Sequence, residues 1–341
     1  MASTNISWSD AVWNPLVGCS RTSPGCENCY AETFAHRLEK MGQSRYRGLT
    51  VLGKQGARWT GEVRQVPEVL GAPLRWRKGK RIFVNSMSDL FHEKVPFEYV
   101  AAVFGVMAAC PQHTFQVLTK RPERALEYFR WVEKRGEDGL RLFPDDPQDW
   151  RIRQLLHVEA RRRGADLSAA RHQNHGGPWP LPNVHLGVSC EDQAAADERI
   201  PILLKCQAAV RWVSAEPLLG PIDFDMGRCE AHDREFVGTG EHGEFCNECA
   251  ADGFSGELSY GHWLDACADV DQPGISWVVV GGESGPGRRE CNPAWIDSVV
   301  GQCTEAGVPV FVKQDAGPKP GKQGRLSEAT WARKEFPEVR Q

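Results

Sequence analysis

The sequence has no long apolar run. No stretch of its 341 residues approaches the roughly 20 apolar residues a membrane helix requires, and residues 1–10 hold one Ile and one Trp among mostly polar neighbours. Neither a membrane span nor a secretory leader is expected, and the protein reads as soluble and cytoplasmic. Without a secreted context a disulfide framework is not expected either, so the thiols read as reduced. A strong charge of either sign is also missing: the formal net charge is −4, and nothing global points to nucleic acid. At 41% hydrophobic residues the chain can bury one large core or two smaller ones.

Cysteine is plentiful, with twelve residues. Three fall in one loop, Gly18-Cys19-Ser20-Arg21-Thr22-Ser23-Pro24-Gly25-Cys26-Glu27-Asn28-Cys29-Tyr30, spaced C-x6-C-x2-C ahead of an apolar-periodic helix. Thiolate is the ligand of iron–sulfur clusters, which usually take four; three local cysteines leave a distant fourth ligand or an exchangeable position. Pro24-Gly25 turns the loop back toward a metal, and Tyr30 is placed to shield it. Two alternatives stay open. Cys26 and Cys29 also have the spacing of half a zinc knuckle, completed by His36 or a remote cysteine, and of a dithiol redox pair. Cys110 and Cys303 lie in apolar helical patterns and read as small core residues, while Cys190, Cys206, Cys267 and Cys291 are scattered.

A second group is Cys229-x2-His232 with Cys246-x2-Cys249, thirteen residues apart, the spacing of a zinc ribbon. Four ligands, three of them sulfur, suit a closed structural Zn²⁺ site whose binding energy would fold a polar insert, with Phe236, Phe245 and Phe254 as its apolar cap. His242 is a competing nitrogen, and the bland alternative is a loop that happens to carry cysteines. Acidic neighbours such as Glu230, Asp233 and Glu235 argue against phosphate contact there.

Short runs rich in Val, Ile, Phe and Trp predict strands at 81–86, 114–118, 184–189, 211–215, 276–280 and 308–312, with a weaker one near 12–17. Amphipathic helices are expected between them, at 29–41, 97–110, 122–134, 192–206 and 293–306. The last is the best marked: Asn292 caps it, Pro293 opens it and Gly307 ends it. The alternation predicts an α/β fold, a partial or distorted (β/α) barrel of six to seven parallel strands, with an open doubly wound sheet second. Its core is expected over 1–222 and 273–341, with a charged surface insert at 136–182 and the zinc-ribbon-like insert at 223–272. Arg151, Arg153, Arg161, Arg162 and Arg163 could contact phosphates but read rather as a solvated helix face. In a barrel the C-terminal strand ends hold the site. Here they carry Asn85, Ser86, Ser88 and Asp89; Thr119, Lys120 and Arg121; Ser189, Glu191 and Asp192; Ser214 and Glu216; Glu283 and Ser284; and Lys313 and Gln314. Helix capping is the competing account for Asp89, Asp192 and Glu283.

Trp13-Asn14-Pro15-Leu16-Val17-Gly18-Cys19, followed by Cys26, Cys29, Tyr30 and Ala31, resembles the cluster loop of radical S-adenosylmethionine enzymes, nearest the branch of spore photoproduct lyase. The first gap is three residues longer than the usual C-x3-C-x2-C. Four further runs (83–92, 117–124, 216–222 and 280–285) resemble a phage-associated family that carries the same three-cysteine loop.

The resemblance implies a [4Fe-4S] cluster with one open iron that holds S-adenosylmethionine, an electron donor, and a 5′-deoxyadenosyl radical acting on a substrate, a nucleic acid or nucleotide. Lys120 or Arg121 would hold the cofactor carboxylate, Asn85, Ser86, Ser88 or Asp89 its ammonium, and Glu216 or Glu283 its ribose. The loop 281–289 would cover the adenosine or the substrate. Competing readings are a non-catalytic iron–sulfur or zinc protein that binds nucleic acid or a protein partner, and a metal-stabilised hydrolase.

Overall fold

The computed structural model describes residues 4, 6–54, 56–139, 147–170, 177–224, 228–229, 234–235, 263–264 and 274–338. Seven strands form one parallel sheet: β1 (Ala11–Trp13), β2 (Arg81–Val84), β3 (Thr114–Thr119), β4 (Val184–Ser189), β5 (Val210–Ala215), β6 (Trp277–Gly281) and β7 (Val310–Gln314). They stand in chain order across the sheet, so every crossover steps the same way and the sheet curls into a half-barrel. Every residue of β4, β5 and β6 is buried, as strands covered on both faces require.

The two faces are filled differently because side chains alternate along a strand. Ile82, Val84, Val213, Val278, Val280, Val310 and Val312 join the large core built with the helices. Phe83, Trp212, Trp277, Val279 and Phe311 point the other way and close with Trp8 into an aromatic plug on the concave side. Within it the Trp8 ring sits 4.8 Å from Phe83 and 5.4 Å from Trp212, edge to face.

The helices are α1 (Tyr30–Lys40), α2 (Phe97–Ala108), α3 (Pro122–Gly139), α4 (Gln148–Arg162), α5 (Gln193–Leu204), α6 (Pro293–Glu305) and the short α7 (Glu328–Trp331). The expected signals for α6 are present: Asn292 Oδ1 accepts from Ala294 N at 3.1 Å, and Gly307 takes φ 67°. No helix among the described residues is long and apolar enough to cross a membrane.

Three expectations need correction. The first strand is split, because Pro15 has no N–H to continue the ladder; β1 ends at Trp13, and Leu16–Val17 turns to pair antiparallel with Arg64–Gln65. The last strand starts two residues later than the pattern suggests, which puts Lys313 and Gln314 inside β7. The insert at 136–182 is no mere surface appendage: α4 buries Ile152, Leu156 and Ala160 against α2. Gly105 of α2 permits that crossing, since a Cβ there would lie 2.1 Å from Leu156 O. Arg151 and Arg153, read as solvated, are buried.

Of the proposed zinc ligands, His232, Cys246 and Cys249 lie outside the described residues. Cys229 is described by its backbone, in a two-residue strand paired antiparallel with Arg234–Glu235.

Candidate metal centre at the mouth of the half-barrel

Continuing the alternation past the aromatic plug brings a second set of residues to the concave face at the C-terminal strand ends. Phe83 leads to Asn85, Trp212 to Ser214 and Glu216, Val279 to Gly281 and Glu283, and Phe311 to Lys313. On β3 and β4 the same parity brings Lys120 and Glu191 to the rim. One strand face therefore changes from aromatic to ionic within about two residues.

The three-cysteine loop crosses this rim and is tied to the ends of four strands. After β2, the Ser86 carbonyl accepts from Tyr30 OH at 2.8 Å. After β3, Lys120 Nζ donates to Ser23 Oγ at 3.2 Å and Arg121 Nη2 to Ser20 Oγ at 2.7 Å. After β4, Glu191 Oε1 accepts from Gly25 N at 3.3 Å. After β6, Glu283 Oε2 accepts from Asn28 Nδ2 at 2.9 Å, and Arg289 Nη1 donates to the Pro24 carbonyl at 2.9 Å. Gly25 suits the closest approach: a Cβ there would meet Lys120 Nζ at 2.8 Å and the Glu191 carboxyl at 3.0 Å.

Electrostatics explains why these anchors hold. Glu191 is fully buried between Lys120 Nζ at 2.7 Å and Arg199 Nη1 at 3.0 Å. Burial alone would raise its pKa, but Lys120 outweighs that, helped by Ser23 and Arg199, and holds the carboxyl at about 2. Burial likewise opposes ionisation of Glu283, and bonds from Arg289 and Asn28 prevail, so its pKa falls. Asp89 accepts from Phe91 N, Thr119 Oγ1, Lys120 N and Arg121 Nη1, all between 2.8 and 3.1 Å. It aims Arg121 at the loop, where Nη1 stands 3.9 Å from Cys19 Sγ.

Cys19, Cys26 and Cys29 are half-buried free thiols. Burial is the main cause that raises the pKa of Cys29, and the charge of Cys26 adds to it, as that of Cys29 does at Cys19. Burial and the nearby Asp89 push Cys19 up to about 12. At Cys26 burial is overcome by Lys120 and by hydrogen bonds from Thr22 and Ser23, so its pKa is lowered. Among the described residues no group of three or more His, Cys, Asp or Glu side chains is arranged to hold a metal ion.

The remaining rim residues divide into engaged and open. Ser86 Oγ donates to Asn14 Oδ1 at 3.2 Å and Ser88 Oγ to the Leu16 carbonyl at 3.0 Å, both bracing the start of the loop. Asp192 caps α5 through Ala195 N, the capping account. Asn85, with φ 62°, accepts from Leu16 N through Oδ1, while its buried Nδ2 has no partner. Glu216 meets Lys313 Nζ at 3.1 Å through Oε1, but only Oε2 is aligned for a hydrogen bond, at 3.2 Å. Glu216 Oε1 is thus buried without a hydrogen-bond donor.

The sequence matches the family described as "Protein of unknown function (DUF5131)" over residues 3–334. The chain belongs to this family. No curated protein and no solved structure matches it. The match spans both the cysteine loop and the strand ends that tether it, so loop and anchors fall within one family domain.

Sequence reasoning missed Ser20, Asn28, His92 and Arg199 as parts of this centre, and it had Arg289 in the loop 281–289 without naming its partners. His92 is fully buried; its Nδ1 accepts from Lys94 N at 3.2 Å, which leaves the proton on Nε2 for Ser20 Oγ at 2.9 Å. Their signal in the sequence is proximity to motif residues, which does not name the partner.

Proposed function

We propose that the protein is an iron–sulfur enzyme of the radical S-adenosylmethionine type, in which Cys19, Cys26 and Cys29 hold a [4Fe-4S] cluster and S-adenosylmethionine occupies the position left free. The observation that carries the reading is the place of the loop: three free thiols of one loop hang across the C-terminal mouth of a parallel half-barrel, tied to the ends of four strands. The donor set fits the group. The histidines near the loop in sequence or space are engaged elsewhere: His92 is hydrogen-bonded through both ring nitrogens, and His36 bonds Thr50 Oγ1 through Nδ1 at 3.2 Å. When bound, the cluster supplies the electron that cleaves S-adenosylmethionine reductively.

The chain's own residues do the positioning. Lys120, Arg121, Asp89 and Glu283, expected to touch the cofactor, also hold the loop. Glu216 Oε1, which has the Lys313 ammonium at 3.1 Å but no aligned hydrogen-bond donor, and the unpartnered Asn85 Nδ2 are the groups that fit S-adenosylmethionine, one accepting from its ribose hydroxyls or ammonium, the other donating to its carboxylate. Tyr30 covers the thiols from the α1 side. Separately, Cys229, His232, Cys246 and Cys249 hold a structural Zn²⁺ in the insert.

Anaerobic reconstitution tests both sites. The expected outcome is iron and sulfide in cluster ratio, and 5′-deoxyadenosine on addition of reductant and S-adenosylmethionine. Cys19→Ala, Cys26→Ala or Cys29→Ala abolishes both signals and leaves zinc in place, whereas Cys246→Ala removes zinc alone. A zinc-only protein, or a full cluster that never yields 5′-deoxyadenosine, overturns the enzyme reading. The latter result would favour a non-catalytic metal-binding protein.

A further inference from the structure

The modest net charge hides a strong asymmetry. Residues 37–81 carry 12 Lys and Arg against 3 Glu, while the rest of the chain carries 29 against 42 Asp and Glu. The densest part is Arg75-Trp76-Arg77-Lys78-Gly79-Lys80-Arg81, with five basic residues in seven and no acid. This segment is most of the first crossover, from β1 to β2, and β1 is an edge strand, so the charge lies along one flank of the half-barrel.

The charge on this flank is available. Arg37, Lys40, Arg47, Arg75, Arg77 and Lys78 are all exposed, and none forms an ion pair among the described residues. Of the three glutamates, Glu62 is paired with Lys94 and Glu39 accepts from Gly48 N. The charge is also spread out. Arg75 to Lys78 precede the N-terminal end of β2, while α1, with Arg37 and Lys40, follows the cysteine loop at the C-terminal ends; the strand between spans about 13 Å. A small phosphate would need converging groups, and this arrangement instead suits a linear polyanion. Between the flank and the loop stand Tyr30 and Phe34, one turn apart on α1 and 58% and 47% exposed, faces on which an unpaired base can stack.

We propose that the flank 37–81 binds single-stranded nucleic acid, its arginines and lysines following the phosphates and Phe34 stacking a base. Delivery of that base to the cysteine loop rests on the function proposed above; binding itself does not, since it needs neither cluster, reductant nor S-adenosylmethionine.

The test is fluorescence anisotropy of a labelled 20-nucleotide single strand with the full chain, over a salt series. The wild type binds with a negative salt slope. Arg75→Gln/Arg77→Gln/Lys78→Gln and Arg37→Gln/Lys40→Gln/Arg47→Gln each lower the magnitude of that slope by about 2, because each phosphate contact contributes about 0.7 on a single strand. Phe34→Ala weakens binding about tenfold and leaves the slope unchanged, the signature of stacking. All substituted side chains are exposed, and an unchanged thermal melt verifies the fold. Three results overturn the proposal: no binding at low salt, a slope untouched by both triple variants, or displacement by polyglutamate or anionic vesicles as effective as by unlabelled strand. The last would assign the flank to an acidic protein or a lipid surface. Loss of 5′-deoxyadenosine formation with binding intact would sink only the enzyme reading.

Discussion

Lys120–Glu191 and Lys313–Glu216 are the same two residue types on the same concave face, at 2.7 and 3.1 Å, yet their surroundings differ. Glu191 uses both oxygens, accepting from Gly25 N, Lys120 and Arg199, and is fully buried. Glu216 leaves Oε1 without a hydrogen bond and belongs to a pair that still reaches solvent. A carboxylate with both oxygens engaged fixes geometry, whereas one with an oxygen left over at the mouth of a barrel has capacity left for a ligand. The first pair therefore reads as scaffold for the cysteine loop and the second as part of the site.

The largest effect expected from this contrast is on Glu191→Gln. Removing that charge takes from Lys120 its carboxylate and leaves the buried Arg199 with only Glu198, 3.9 Å away, at a cost of about 3–5 kcal/mol in urea unfolding. Reconstituted iron should fall with it, because the loop loses an anchor. Glu216→Gln costing as much would erase the distinction between the pairs.

Acid sharpens the same point. Because the folded-state pKa of Glu191 is depressed, its contribution is complete above the ordinary glutamate range and is lost as pH falls from about 4.5 toward about 2. The expected loss over that window is about 3 kcal/mol. Acid unfolding followed by circular dichroism should show it in the wild type and not in Glu191→Gln at matched starting stability.

The tether after β6 should matter less. Arg289 is partly exposed, so Arg289→Ala is expected to cost about 1–2 kcal/mol and to speed alkylation of Cys26 in the metal-free protein by releasing Pro24. An unchanged alkylation rate would mean that the loop is held from the β3–β4 side alone.

How far the sequence could lead depends on how local each signal is. The strands, the caps at Asn292 and Asp192 and the end at Gly307 are written in neighbouring residues, and they were legible. The break at Pro15 was legible in principle, since proline cannot continue a central ladder, but an apolar run on either side masked it. The burial of α4 depends on Gly105, about fifty residues away, and the bond of Asn28 to Glu283 joins residues 255 apart. No pattern within one window encodes such a pairing. That is why the strand-end residues were legible as a set, while the bonds that tie Lys120 and Glu283 to the loop were not. The basic flank was lost for the opposite reason, because a whole-chain charge averages over it.

The smallest stability effect belongs to the open pair, and it is the most discriminating. Lys313 keeps access to water, so Glu216→Gln strands no buried cation and should cost about 1 kcal/mol or less. Its effect should appear in ligand binding. A glutamine presents an amide where an ionised oxygen would accept from a ribose hydroxyl or an ammonium, and a charged hydrogen bond of about 1.5–3 kcal/mol is weakened. Affinity for S-adenosylmethionine, measured by calorimetry on the reconstituted protein, should then drop about tenfold or more with iron content unchanged. If affinity holds while iron is retained, Glu216 is a bystander and the open oxygen faces no cofactor. The mirror result, lost iron with a normal melt, would move Glu216 into the scaffold beside Glu191.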